Sequence, residues 1–287
     1  MKSYIAGIWI LATIVVVGNP RQTAAQDKPE PGWKFKAQAA TVWLGGNSEA
    51  STYALSTSIK RIWPKATWSN SAGMLRTSST MKTTRAVGTT ESFSIDEETD
   101  REATAESYYA RTKVDRDLGD KMHVRAGLDW LRNTFAGIDS RFLLAAGAGY
   151  TFSDTDELSA KLDAAVTYTF EEEVVDNPFA ASKFPGLRAA YDVNYKATES
   201  TTLESGLTAD LNLDNTDDLR LDWANAISVA INSSLSLKPS MLIQWKNDPA
   251  LEEVDLYDAA GAKTGDKVLI PLSKTDWFFN LAIVLTL

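Results

Sequence analysis

The chain has 287 residues, with 29 basic and 38 acidic side chains for a net charge of −9, no cysteine and one histidine. Without cysteine there is no disulfide framework, no redox pair and no thiolate zinc site, and His123 alone cannot build a multi-histidine metal centre. The acidic balance offers nothing to offset phosphate repulsion, which argues against a nucleic-acid partner.

Residues 1–25 read as a secretory signal peptide. Lys2 is the basic start, residues 5–17 form an apolar run broken only by Gly7 and Thr13, and Thr23-Ala24-Ala25 is a small-residue cleavage site ahead of Gln26. The run is too short to span a bilayer. No cysteine follows it to carry a lipid anchor. Its removal takes away Lys2 and Arg21 and no acid, so the remaining 262 residues carry 27 basic and 38 acidic side chains, net −11. Residues 26–32 are expected to be a flexible periplasmic lead, and residues 33–287 one domain.

From Trp33 onward the pattern is period two. In 158–170, Leu158, Ala160, Leu162, Ala164, Val166, Tyr168 and Phe170 alternate with Ser159, Lys161, Asp163, Ala165, Thr167 and Thr169. Leu187, Tyr191, Val193 and Tyr195 likewise stand against Arg188, Asp192, Asn194 and Lys196, and the last strand sets Trp277, Phe279, Leu281, Ile283, Leu285 and Leu287 on one face. Consecutive β side chains point to opposite faces, so each strand has one apolar face. The pattern predicts twelve strands, near 33–45, 50–62, 66–79, 101–117, 120–134, 140–153, 157–171, 184–198, 201–213, 217–231, 234–247 and 273–287.

These exceed the roughly five or six residues of a soluble strand and reach the roughly nine to eleven that a tilted strand needs to cross a bilayer. A sheet spanning lipid must close, because its edges find no water there. The expected fold is all-β, a single antiparallel transmembrane β-barrel of about 12 strands. The long connections, 80–100, 172–183 and 248–272, follow strands three, seven and eleven and so share one side. Connections after even strands are tight, as at Leu118-Gly119 and Glu199-Ser200. Short periplasmic turns and long extracellular loops are the bacterial outer-membrane pattern, with both termini in the periplasm.

Trp33, Trp43, Trp63, Trp68, Trp130, Trp245 and Trp277 lie near predicted strand ends, where interfacial girdles sit, and Trp223 falls mid-strand. Two residues go against the pattern: Asn225 on the predicted lipid face and Pro239 inside strand eleven. The competing topology is a ten-strand barrel with a folded insert over 80–110.

Three motifs carry a family resemblance: Trp43-Leu44-Gly45-Gly46-Asn47-Ser48, then residues 135–142 (FAGIDSRF) running into Gly147-Ala148-Gly149-Tyr150, and finally Lys274-Thr275-Asp276 before the terminal strand. In these the chain resembles the DUF481 family, whose members are often labelled salt-induced outer-membrane proteins. The resemblance implies an outer-membrane barrel and no catalytic or ligand residues. Barrel substrates of the outer-membrane insertion machinery usually end in Phe, whereas this chain ends in Leu287; the alternation before it is intact, so insertion is expected.

For chemistry the sequence offers little. His123 sits at a strand start with the parity of Lys121, Arg125 and Asp129, facing the lumen, far from where an outer-leaflet lipid hydrolase would need its base. Acidic residues crowd the three long loops: Glu91, Asp96, Glu97, Glu98, Asp100 and Glu102; Glu171, Glu172, Glu173 and Asp176; Glu252, Glu253, Asp255 and Asp258. They are expected as solvated tips. Cation binding is the alternative, though no Asp-x-Asp-x-Asp-Gly spacing supports a defined Ca²⁺ site. No cofactor is expected.

Inward parity gives the candidate lumen residues, Arg125 with Asp129, Lys161 with Asp163, Arg188 with Asp192 and Lys196, and Arg220 with Asp222. Packed into cross-wall pairs they would fill the interior; solvated, they would line a water path. Gly127, Gly147 and Gly149 face inward and leave a notch, which a bulky side chain such as Tyr109 is expected to cover; a binding niche is the alternative. The first functional expectation is a narrow passive pore for ions or small polar solutes, mildly favouring cations. A closed structural or loop-displaying barrel is second, and a lipid-modifying enzyme last. The expected partners are outer-membrane lipids and the insertion machinery.

Overall fold

In lipid each strand must find two neighbours, and in the computed structural model each barrel strand does. The structure describes residues 31–44, 49–88, 93–178, 180–258 and 262–286. The predicted signal peptide therefore lies outside the described residues.

The first four strands are β1 (Gly32–Leu44), β2 (Glu49–Trp63), β3 (Ala66–Gly88) and β4 (Phe93–Asp117). Next come β5 (Met122–Asn133), β6 (Ile138–Asp154), β7 (Leu158–Glu173) and β8 (Lys183–Lys196). The series continues with β9 (Thr201–Asn212), β10 (Leu219–Ala230), β11 (Leu235–Lys246), β12 (Leu251–Tyr257), β13 (Lys263–Pro271) and β14 (Thr275–Thr286). All but β12 and β13 pair antiparallel in one closed barrel, so the barrel has twelve strands. β1 and β14 seal it, from Lys36↔Thr286 to Ala39↔Ile283.

Every predicted strand is present. Two segments expected as loops differ. β3 and β4 continue as paired strands through the described residues of 80–100, in register from Ala66↔Arg116 to Gly88↔Phe93 with one irregularity at Thr77/Ser78. Threonine-rich chain is a good β former, and strands of 23 and 25 residues outrun a bilayer's thickness, so the hairpin projects beyond it. The 248–272 connection folds as the β12–β13 hairpin. Gly137 anchors it. With φ at 73° it ends the single 3₁₀ turn Thr134–Ala136, and its missing Cβ leaves room for Ala250. The Leu272 N–H donates to the Ala250 carbonyl at 2.9 Å.

Both described chain ends and the tight turns, such as Pro64-Lys65, lie at one end, here the turn end. The longer connections lie at the other, the loop end. Outward side chains are apolar and exposed: Val166, Leu187, Ile227, Phe279 and Leu281 among them. Trp33 and Trp68 meet edge to face at 6.4 Å at the turn end, and Arg61 lies over Trp33 and Trp63.

The two misfits have local solutions. Asn225 does face outward, and Ser205 Oγ donates to its Oδ1 at 2.8 Å. Tyr191 OH contacts that serine at 3.2 Å, and Trp223 Nε1 donates to Tyr191 OH at 3.1 Å, so this patch brings its own partners into hydrocarbon. Pro239 stays in register with Leu281 of β14. Toward β10 the ladder skips from Ala226↔Ser240 to Val229↔Leu237, and the missing N–H falls in that gap.

Val166 is 62% exposed on the outer face of β7. Val166→Arg should destabilise the folded barrel by about 2–4 kcal/mol in a bilayer, read by urea unfolding in vesicles. No measurable loss would contradict a lipid-facing outer wall.

Candidate functional site: the barrel lumen

Register fixes which side chains share the interior. Asp115, Arg125 and Gly147 are consecutive partners across β4, β5 and β6, and Gly149, Asp163 and Ala190 continue the inner face across β6, β7 and β8. All eight candidate lumen residues carry inward parity: Arg125, Asp129, Lys161, Asp163, Arg188, Asp192, Arg220 and Asp222. Their partners, however, are mostly not their neighbours along the strand.

Arg125 bridges Asp115 on the adjacent strand and Asp163 on β7, the latter at 2.6 Å. Arg188 grips Asp210 of β9 with two nitrogens, at 2.7 and 2.9 Å, and reaches Asp129 of β5 at 2.9 Å. That last contact is a chord across the lumen rather than a step along the wall. Arg220 holds Asp218 at 2.8 Å and Glu171 of β7 at 2.7 Å. Lys161, Asp192 and Asp222 form no ion pair among the described residues. Asp222 accepts from Gln244 at 3.0 Å and Asp192 from Asn194 at 2.7 Å.

Glu171 is the hub of the loop-end layer and a correction to the expected solvated tip. It is 6% exposed and turned inward. Arg141 binds both its oxygens at 2.9 Å, Arg220 adds a third contact, and Lys246 approaches at 3.6 Å. Lys246 also reaches Glu173 at 3.4 Å. Three cations around two carboxylates, walled by buried Thr169, Leu143 and Phe184, form a packed cross-wall layer. A charge removed from water is tolerated there because its partners come with it.

The glycine notch is filled, but not by Tyr109. His123, itself 6% exposed, lies with Asp163 across Gly149, and the two side chains meet at 2.8 Å. Any Cβ at Gly149 would collide with both. Tyr109 instead covers Gly73 of β3, with Arg111 over its ring at 5.1 Å.

The lumen wall is lopsided. From β5 to β11 it is crowded with paired charges, and a cavity of about 70 Å³ remains among Arg111, Asp129, Arg188, Asp210 and Asp222. On β1–β3 many inward side chains are small or flexible, among them Gln38, Ser56, Ser58, Ser69 and Ser71, with Ile62, Leu75 and the Tyr109 ring over Gly73 as the bulkier exceptions. Toward the turn end Lys34, Lys36, Lys60 and Lys113 point inward and are solvent-exposed, as is Asp192. A larger groove of about 560 Å³ faces outward, lined by Thr57, Ile59, Ala72, Ala110, Leu128 and Trp130.

Sequence reading missed Asp115, Arg141, Glu171 and Asp210 as partners and the β1–β4 lysines as lumen residues. Their parity was a usable signal. Lys34 and Lys36 alternate with Trp33 and Phe35.

At the loop end Glu253 binds Lys267 at 2.9 Å, and that hydrogen bond raises the lysine's affinity for its proton. Among the described residues no group of three or more His, Asp or Glu side chains is arranged to hold a metal ion. The side chains of the 80–102 acidic run lie outside the described residues.

A family model described as "Protein of unknown function, DUF481" matches residues 37–259. Among curated proteins nothing matches the chain. Among solved structures the chain is similar to an outer membrane channel of Pseudomonas putida F1, at 10% identity and TM-score 0.43, covering 92% of this chain and 100% of that one. It is also similar to the NanC porin, at 10% identity and TM-score 0.42, covering 89% and 98%. The translocator domain of the autotransporter NalP from Neisseria meningitidis matches at 11% identity and TM-score 0.42, covering 91% and 89%.

Glu171→Gln leaves Arg141 and Arg220 buried against a neutral group. The barrel should lose about 3–5 kcal/mol, measurable as a lower unfolding midpoint in detergent and earlier loss of heat-modifiable gel mobility. An unchanged midpoint would mean that the layer is not a structural brace.

Proposed function

The chain belongs to the DUF481 family and closes a twelve-strand barrel, and from that premise we propose that it is a narrow passive outer-membrane pore for ions or small polar solutes. Both chain ends would then face the periplasm, which makes the turn end periplasmic and the loop end extracellular. The physiological setting we propose is a change in external salt or osmolarity, following the family's usual label.

One observation carries the pore reading. Lys34, Lys36, Lys60, Lys113 and Asp192 point away from lipid yet are exposed to solvent. Solvent therefore enters the barrel from the turn end at least to the level of these residues, which lie within four positions of the strand ends. The slim β1–β3 wall leaves the space through which it would continue past the ion-paired side. Rigid pairing on β5–β11 supports this role, since a wall of fixed charges keeps its shape while solute passes. Among the described residues His123, the base an enzyme reading would need, is hydrogen-bonded to Asp163 and faces the lumen.

The loop-end layer around Glu171 favours a second reading, a closed structural barrel. Single-channel recording of the refolded chain separates the two. The pore predicts reproducible conductance steps, and cutting the Arg188 chord with Arg188→Ala should raise the step size roughly twofold by widening the lumen. A silent bilayer, with insertion confirmed separately, would leave the closed barrel.

A further inference from the structure

We propose that the turn-end lumen is an anion site, a lysine belt that draws small carboxylate- or phosphate-bearing solutes into the barrel and sets an anion preference. This deepens the pore reading and rests on it. It also replaces the cation preference expected from the sequence: the acidic loops stand outside the barrel, and two of the four candidate lumen aspartates, Asp129 and Asp163, are engaged in ion pairs. Asp129 is held by Arg188 and Asp163 by Arg125 and His123.

The belt is built by register. Lys34 and Lys60 are direct partners across β1 and β2. Lys60 pairs with Ser69 of β3, and Ser69 pairs with Lys113 of β4, so three inward lysines lie along one row of the sheet. Lys36 stands one inward position further along β1, and Lys161 joins from β7. Lys60 is close enough to Lys113, Lys36 and Lys161 to be repelled by each, and to Asp192 to be attracted. None of the five lysines has a carboxylate within ion-pair distance among the described residues. Asp117 stands at the rim below, where β4 ends, and Asp192 faces the belt from β8.

Like charges set directly opposite in a sheet are destabilising. Here Lys34 and Lys60 are set so, with Lys113 further along the same row, while Asp192 opposes Lys161 across β7 and β8; the next inward residue of β4, Asp115, is already taken by Arg125. Ser69 stands between Lys60 and Lys113, and Ser58 lies opposite Lys36, so hydroxyl donors sit beside the lysines. A low-dielectric wall with one sign of charge focuses the field along the lumen axis. Exposed acids such as Glu172, Asp176 and Glu253 at the loop end stand in open water, where salt screens them. The belt lies inside the barrel, where screening is weaker, so it dominates selectivity.

The test uses the refolded full-length mature chain in a planar bilayer under a potassium chloride gradient. The belt predicts an anion-favouring reversal potential. Lys60→Glu combined with Lys113→Glu should lower the chloride-to-potassium permeability ratio by roughly tenfold, while Lys267→Gln on the projecting hairpin should not change it. Conductance with a cation-favouring potential, or one indifferent to the double variant, would overturn the belt and leave the pore standing.

A silent bilayer would overturn the pore, and the belt is then judged separately. Calorimetry with inorganic pyrophosphate on the folded barrel in detergent should show binding that is lost in Lys60→Gln combined with Lys113→Gln, with heat-modifiable mobility confirming the fold. No pyrophosphate binding by the parent chain would overturn the belt itself.

Discussion

The structure depends on the hydrogen bonds between its first and last strands. A sheet in hydrocarbon has no solvent for an open edge, so every backbone N–H and C=O must find a partner strand. β1 and β14 meet this requirement with four registered positions among the described residues, from Lys36↔Thr286 to Ala39↔Ile283. Once that seam forms, each side chain is committed to lipid or lumen by parity alone. The apolar exterior, the charged interior and the tolerance of Pro239 at a skipped ladder position all follow.

Closure also creates the electrostatic problem that the lumen solves in two ways. Between β5 and β11, arginines and carboxylates meet across strands and across the interior, and the Glu171 layer is dry enough that its charges need one another. On the β1–β4 side, lysines line the lumen with no carboxylate at ion-pair distance among the described residues. A barrel optimised only for stability would have paired or removed them. The contrast between the two walls is the physical basis for reading one as brace and the other as passage.

Much of this was legible in the sequence. The alternation of Trp277, Phe279 and Leu281 with Phe278, Asn280 and Ala282 identified a lipid-facing strand, and the same pattern located all twelve. Parity also placed the eight lumen candidates on the inner face. Parity does not reveal distance through space, however. Arg188 was matched with Asp192 on its own strand, whereas its partners Asp210 and Asp129 come from β9 and β5, brought near by the curvature of the closed sheet.

Glu171 ends the predicted strand 157–171 yet groups with the acidic loop run that follows; β7 continues to Glu173, and that extension keeps Glu171 on the inward face. The long β3–β4 hairpin was illegible for a related reason. Its Ser, Thr and charged residues lack the apolar face that marks a strand inside lipid, and outside lipid no such face is needed.

A pore of this design requires a continuous water path along the β1–β3 wall. The chain contains no cysteine, so a single Ser58→Cys variant reports from that wall without background. In vesicles with the barrel in known orientation, a small membrane-impermeant thiol reagent should modify residue 58 when added from either side. Modification from the turn end alone would show that the lumen is sealed beyond the lysines, and the barrel would then be a closed structure with a one-sided vestibule.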